Sequence, residues 1–206
     1  MLLLQFGLLF FLVAFDRGRD IRTTLDVTSV VIPLFAIGVA TDRKRERRIA
    51  IALAAAAMLL SGGALTGLRP GNIDAGPLGT AVFSAYSTWV LLAGVARSRR
   101  ITGDVLAGAL AAYITAGLAF AVLYGVIGLG NPAAFETARA HPASFPDLVY
   151  FSFVTLMTIG FGDVTPVAPL ARAIVLLEGL FGVVFTTVVM ASLVAGYLRH
   201  RERDRP

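Results

Sequence analysis

The stretch Thr155–Asp163, which reads T-L-M-T-I-G-F-G-D, decides the architecture of this chain. Gly160 and Gly162 alternate with Ile159 and Phe161, directly after a short apolar run. Glycine adopts positive φ as easily as negative φ, so alternating glycines allow successive residues to alternate in backbone handedness. A strand of that kind can turn successive carbonyl oxygens toward the same side. The pattern therefore predicts a segment that presents a row of main-chain oxygens.

A row of oxygens becomes a cation site when four copies surround one axis, because stacked rings of carbonyls can replace the water shell of K⁺. Thr158 can add a ring of hydroxyls at the inner end. Each chain supplies one such segment, so the site requires a homotetramer. A Gly-rich turn without this role is the alternative, and a motif match alone does not exclude it.

Composition places the chain in a membrane. Its 206 residues are 57% hydrophobic with a mean hydropathy of +0.79, and only 15% are charged, against about 25% in soluble domains. Uncharged runs such as Ile49–Leu68 and Ala75–Ala96 exceed the length of about 18 residues that indicates a membrane span. We therefore predict an integral membrane protein.

The titratable residues do not form the pattern of an enzyme. The chain has no Cys, its two His residues (His141 and His200) are far apart, and no catalytic constellation is visible. The sequence thus predicts neither enzymatic activity nor an organic cofactor. The pI of about 10.2 reflects short basic clusters between apolar runs, which is typical of membrane topology and does not indicate nucleic-acid binding.

The predicted fold class is an all-α membrane protein with six transmembrane helices, a re-entrant pore helix and a selectivity-filter loop. The first span is short for a hydrocarbon core of about 30 Å. A cleaved signal peptide is the alternative there, but a basic n-region is absent. The predicted spans are Leu2–Phe15, Leu25–Thr41, Ile49–Leu68, Thr80–Ala96, Gly103–Gly128 and Leu170–Leu198.

Ser144–Met157 is the predicted pore helix. It is too short to span, and re-entrant backbone is tolerated where it is buried in protein or lines a cavity. Ser144 and Asp147 suit its cap and first turn. This helix contains Tyr150, Phe151 and Phe153. These aromatic residues could form a collar behind the filter or could be ordinary lipid- or core-facing side chains.

Charge distribution predicts the orientation. If the filter opens outward, Asp42–Arg48, Arg97–Arg100 and both termini are cytoplasmic, and these segments hold twelve of the eighteen Lys and Arg residues. We interpret Asp42–Arg48 as a positive-inside loop, with binding of anionic lipids at Arg43–Arg48 as a second role. The Ala/Gly/Arg-rich composition favours a bacterial inner membrane.

Thr158, Gly160, Phe161, Gly162 and Asp163 match the signature T-x-G-[YF]-G-D, so the chain from about residue 102 to 198 resembles the pore module of tetrameric potassium channels. The resemblance implies two domains: a four-helix region, 1–101, and a pore domain, 102–206. The pore domain would comprise an outer helix (103–128), a pore helix (144–157), a filter (158–163) and an inner helix (170–198).

The resemblance also implies a function. The carbonyls of Thr158, Ile159, Gly160 and Phe161, with the Thr158 hydroxyl, would coordinate K⁺, the permeant ion, during passive and selective conduction. A non-selective cation channel is one alternative, because Phe161 replaces the commoner Tyr. A membrane sensor or accessory subunit without flux of its own is another. Val154 stands where some bacterial channels place a Glu that bonds the filter aspartate, so Asp163 needs a different partner.

The inner helix carries the candidate gating residues. Gly182 falls where many relatives have a hinge glycine, and Gly179 is the second candidate. Helical spacing from Gly182 predicts that Val183, Thr186 and Met190 face the conduction path, although Thr186 and Thr187 can instead bond back to their own helix.

Glu178 is the one acidic residue inside the predicted sixth span. Intramembrane carboxylates suggest function, so one hypothesis makes it a proton- or cation-responsive element near the filter. The other makes it a hydrogen-bonded tie between the inner helix and the pore helix.

We predict weak voltage dependence. A voltage sensor needs repeated Arg in the fourth helix, because one charge moved across 100 mV supplies only about 2.3 kcal/mol, and Thr80–Ala96 carries no charge. The short tail, Arg199–Pro206, also predicts that the chain lacks a cytoplasmic ligand-binding domain. Recording conductance against voltage tests the first prediction, and a steep curve with several gating charges would contradict it.

Overall fold

The structure, a computed structural model, describes residues 44–65, 76–97, 103–138 and 142–203. These residues form five α-helices and one two-stranded sheet. The first two predicted spans, Leu2–Phe15 and Leu25–Thr41, lie outside the described residues. The elements in chain order are α1 (Lys44–Leu65), α2 (Gly76–Arg97), α3 (Gly103–Gly130), β1 (Phe135–Thr137), α4 (Phe145–Leu156), β2 (Val164–Pro166) and α5 (Pro169–Arg203).

Three of these helices are long and apolar enough to cross a membrane, within the part of the chain that the structure describes. They contain the segments Pro77–Arg97, Val105–Gly130 and Pro169–Val189. Two shorter apolar helical segments, Arg48–Ala57 and Phe145–Leu156, accompany them. The helical membrane architecture is therefore confirmed, whereas the count of six spans is not.

The helix bounds follow the predictions closely and differ from them at the helix ends. The outer helix α3 ends two residues later than predicted, at Gly130, and the inner helix α5 extends to Arg203. Residues 44–48, which we predicted as part of a loop, form the first turns of α1. Lys, Arg and Glu are good helix formers, so a basic segment can continue a helix beyond its apolar part.

Small residues bring the first three helices together. Ala50, Ala54 and Ala57 recur at helical spacing on α1 and are buried against Phe83 and Leu91 of α2. Alanine lets helix backbones approach closely, so these positions bring α1 against α2. Across the α1–α2 pair, Arg97 and Glu46 form an ion pair at 3.4 Å.

The sheet is an element that the sequence analysis did not predict. Strands β1 and β2 pair antiparallel, with Glu136 opposite Thr165. The Arg172 side chain of α5 donates from Nε to the Pro166 carbonyl at 3.1 Å. The sheet thus joins the segment before the pore helix to the segment after the filter.

Candidate functional site

The pore helix α4 begins with a polar contact between Ser144 and Asp147. The Asp147 carboxylate accepts hydrogen bonds from the Ser144 backbone N–H at 2.8 Å and from the Ser144 hydroxyl at 2.6 Å. Pro146 occupies the first turn, where its missing N–H costs nothing. Ser144 and Asp147 therefore stand at the helix start, as predicted, and the helix itself spans Phe145–Leu156.

All the carbonyls of its last turn find partners. A helix leaves four carbonyls without intrahelical donors, and buried ones need other partners. In α4 each of these four accepts a hydrogen bond of 2.9 Å. The Phe153 carbonyl accepts from the Met157 N–H, the Val154 carbonyl from the Ile159 N–H, and the Thr155 carbonyl from the Thr158 N–H. The Leu156 carbonyl accepts from the Tyr113 hydroxyl.

The chain then alternates in handedness through the predicted filter. Positive φ occurs at Thr158 (59°), Gly160 (61°) and Gly162 (75°), and not at the intervening Ile159 and Phe161. The glycines adopt this conformation readily, whereas a β-branched residue such as threonine is strained there. The backbone alternation that the glycines predict is therefore present, and it begins two residues earlier than they indicate, at Thr158.

The filter segment is open to its surroundings in the single chain. The side chains of Ile159 and Phe161 are 49% and 68% exposed. A Cβ placed on Gly160 or Gly162 would find no atom within 4 Å. In the single chain, these positions of the predicted filter are thus uncovered.

Asp163 ends the filter and has partners other than residue 154. Its backbone carbonyl accepts from the Ala138 N–H at 2.7 Å, and its carboxylate accepts from the Val164 N–H at 3.2 Å. The Tyr150 phenol lies near the same carboxylate. Val154, at the position where some bacterial channels place a Glu, is buried. Tyr150 is therefore a neighbour of the Asp163 carboxylate, for which the sequence analysis had identified no partner.

The other two collar candidates pack at different places. Phe151 lies with Tyr124 and Phe135 in an aromatic cluster whose ring centroids are 5.0–5.8 Å apart. Phe153 packs on α3 beside Gly117, where a Cβ would lie 2.8 Å from its ring. The aromatic side chains thus attach the pore helix to α3 and β1.

Glu178 is fully buried at the centre of a three-helix contact, which we call the carboxyl clasp (Glu178, Tyr124 and Ser152). The Tyr124 hydroxyl of α3 donates to Glu178 Oε2, and the Ser152 hydroxyl of α4 contacts Oε1. The Ser152 oxygen also lies 2.8 Å from the Gly117 carbonyl oxygen. This arrangement agrees with the hypothesis of a structural tie and adds α3 as a third partner.

The two hinge candidates have different surroundings. A Cβ on Gly182 would lie 2.4 Å from the Leu156 carbonyl oxygen and 3.1 Å from its carbonyl carbon. A Cβ on Gly179 would meet no atom within 4 Å. Gly182 is therefore a position where α5 approaches the end of the pore helix closely, and its role as a hinge stays a prediction.

The predicted pore-lining residues lie on a face of α5 that is open in the single chain. Val183 and Thr186 are exposed. The Thr186 and Thr187 hydroxyls donate to carbonyls of their own helix, at 2.9 Å to Gly182 and 2.8 Å to Val183. The Met190 side chain lies outside the described residues.

Sequence reasoning missed Tyr113, Tyr124 and Ser152. Tyr113 and Tyr124 are eleven positions apart, which is close to three helical turns, so both lie on one face of α3. Two hydroxyl-bearing rings on one face of a long apolar helix are a signal that could have identified them. Ser152 is a small polar residue in a run of apolar ones and carries a weaker signal.

Comparisons with known proteins agree with this geometry. A family described as ion channel matches residues 109–197, from within α3 to within α5. Protein LctB of Bacillus caldotenax is 31% identical over 116 residues, which cover 54% of this chain and 84% of that protein. No solved structure matches the chain significantly.

Two relatives are potassium channels by name. The inward rectifier potassium channel Kirbac3.1 of Paramagnetospirillum magnetotacticum is 36% identical over 87 residues, covering 42% of this chain and 28% of that protein. The two pore potassium channel c of Oryza sativa subsp. japonica is 31% identical over 93 residues, covering 45% of this chain and 19% of that protein. These matches point to a channel and not to an enzyme, and the chain belongs to the ion-channel family that carries the potassium-channel pore domain.

Proposed function

We propose that this chain forms a homotetrameric channel that conducts K⁺ selectively and passively across a membrane. The observation that carries the proposal is the alternation of backbone handedness at Thr158, Gly160 and Gly162. That alternation follows a short capped helix and lies in an open part of the chain. It is the backbone conformation from which successive carbonyls can face one axis.

The filter residues then have distinct roles. The carbonyls of Thr158, Ile159, Gly160 and Phe161, with the Thr158 hydroxyl, coordinate dehydrated K⁺. Carbonyl dipoles offer a partial charge that replaces hydration without holding the ion permanently. Gly162 and Asp163 form the outer end of the filter. Gly179, Gly182, Val183, Thr186 and Met190 line or gate the path along α5.

The exposed surface of α5 supports assembly. Leu176 and Leu180 are 75% and 62% exposed, and Val183 and Val188 are about half exposed. An apolar surface of this extent on one helix needs lipid or another chain against it. Four copies would cover part of it and would also close the filter, of which each chain supplies one quarter.

The basic start of α1 supports a membrane contact. Arg45 and Arg48 are exposed at the helix start, and Arg97 lies across from them in its pair with Glu46. We propose that this end of the helices faces anionic lipid headgroups, each basic side chain contributing about 1 kcal/mol. This placement also fits the proposed bacterial inner membrane with cytoplasmic termini.

Flux from purified protein tests the proposed function. We expect reconstituted liposomes to pass K⁺ and to exclude Na⁺ under matched gradients. We also expect Gly160→Ala to reduce K⁺ flux by roughly tenfold or more, since a left-handed alanine costs about 1–2 kcal/mol in each of four chains.

Gly128→Ala is the matched control, because a Cβ meets no atom within 4 Å at either position and Gly128 lies in a helix. It should leave flux unchanged. Equal K⁺ and Na⁺ flux would indicate the non-selective alternative. A folded protein without any flux would support the sensor or accessory subunit instead.

A further inference from the structure

The Tyr113 hydroxyl makes the one side-chain hydrogen bond to the end of the pore helix among the described residues. It donates to the Leu156 carbonyl at 2.9 Å from α3, forty-three residues earlier in the chain. Its ring packs against the Phe185 ring of α5 at a tilt of 33°, with centroids 5.1 Å apart. The hydroxyl is therefore held in place by contacts that do not involve the filter.

The same carbonyl is also confined by α5. The backbone of Gly182 approaches so closely that a Cβ there would overlap the Leu156 oxygen. The peptide that follows Leu156 thus has little freedom to rotate, since α3 binds its oxygen and α5 occupies the adjacent space.

This peptide lies immediately before the strained part of the filter. Thr158 has a φ of 59° and is the one non-glycine residue with positive φ among the described residues. A strained backbone conformation persists only where its surroundings over-determine it. Two backbone hydrogen bonds return from the filter to α4, from Thr158 and Ile159, and both depend on the orientation of the last helical turn.

We propose that Tyr113 is a positioning residue for the ion site. Its hydroxyl fixes the last carbonyl of the pore helix, and this holds Thr158 in the left-handed conformation that coordinates K⁺. The inference rests on the proposed function. When only a fraction of the molecules has the binding conformation, the apparent dissociation constant rises by the inverse of that fraction. Removal of the hydroxyl should therefore weaken K⁺ binding and should do so without any direct contact between Tyr113 and the ion.

Thermal unfolding of the full chain in detergent tests this inference. A ligand that binds the folded state raises the unfolding temperature as its concentration rises. We expect KCl to protect wild-type protein and NaCl at the same ionic strength to protect it less. The KCl concentration that half-fills the site, which we call the half-maximal concentration, is obtained from the way the unfolding temperature rises with KCl. In Tyr113→Phe, we expect this concentration to increase by about threefold or more; the ring and its contact with Phe185 remain, and only the hydroxyl is lost.

Tyr86→Phe is the matched control. The Tyr86 hydroxyl also donates to a carbonyl across two helices, that of Glu46, but it lies in the α1–α2 pair and not at the pore helix. This variant should lower the unfolding temperature at every KCl concentration without moving the half-maximal concentration. Phe185→Leu keeps the hydroxyl but removes the ring against it, and it should move the half-maximal concentration in the same direction by a smaller factor.

The outcomes separate the two proposals. If wild-type protein gains no protection from KCl over NaCl, the proposed function fails and this inference fails with it. If wild type is protected but neither Tyr113→Phe nor Phe185→Leu changes the half-maximal concentration, the inference alone is overturned. A change of equal size in Tyr86→Phe would also overturn it, since the effect would then be one of general stability.

Discussion

Gly182→Ala is expected to remove K⁺ conduction and to destabilise the folded chain. The added Cβ would lie 2.4 Å from the Leu156 carbonyl oxygen. Cβ atoms essentially never come closer than 3.0 Å to a heavy atom to which they are not connected by bonds. The obstacle is backbone, so no side-chain rotation relieves it, and the pore helix end must separate from α5 by about 0.6 Å. Overpacking of this kind costs about 1–3 kcal/mol, here in every chain of the assembly.

The measurement is K⁺ flux in liposomes together with thermal unfolding of the same preparation. Gly179→Ala is the control on the same helix, one turn earlier, where an added Cβ meets no atom within 4 Å. It should gain up to about 1 kcal/mol of stability from the better helix propensity of alanine, so it is the control for the unfolding measurement. Normal conduction by Gly182→Ala would contradict the close contact between α5 and the pore helix.

Glu178→Ala is expected to lower the free energy of unfolding by about 2–4 kcal/mol. The substitution leaves a cavity in the carboxyl clasp, and it leaves the buried Tyr124 and Ser152 hydroxyls without their carboxylate partner. Cavity formation and the loss of partners for buried polar groups each contribute to this figure. Unfolding monitored by circular dichroism in detergent would provide the value.

Glu178→Gln separates the hydrogen bonds from the charge. Its amide oxygen can accept from Tyr124, and its amide N–H can donate to Ser152, whose own hydrogen can then point to the Gly117 carbonyl 2.8 Å away. We therefore expect a loss of about 1 kcal/mol or less. A glutamine variant as unstable as the alanine variant would show that the clasp depends on more than its hydrogen-bonding pattern. Identical profiles of current against pH in wild type and Glu178→Gln would exclude the sensing hypothesis.

The site was predictable where local sequence determines local conformation. The bounds of the pore helix follow from Ser144, Pro146 and Asp147 at one end, and the filter follows from the two glycines at the other. The helix start and the two glycines adopt conformations that nearby residues favour, so the sequence alone indicated them, whereas it did not indicate the left-handed conformation of Thr158. The membrane character followed in the same way from the length of the uncharged runs.

The remaining features depend on contacts between distant parts of the chain. Glu178 could be recognised as unusual, but its partner Tyr124 lies 54 residues away on another helix. Gly182 could be placed by resemblance, whereas its fit against Leu156 depends on how α5 packs. The strands β1 and β2 have three residues each, which is too short for a periodic pattern to indicate them.

The two strands also determine how this pore domain can be recombined with those of its relatives. The Ala138 N–H bonds to Asp163 and the Val167 N–H to Ala134, so the peptide before the pore helix and the peptide after the filter brace one another. A chimera that transplanted only one of them would separate a matched pair. We therefore expect an exchange between relatives to keep its function only when it includes the whole segment from Asn131 to Ala168.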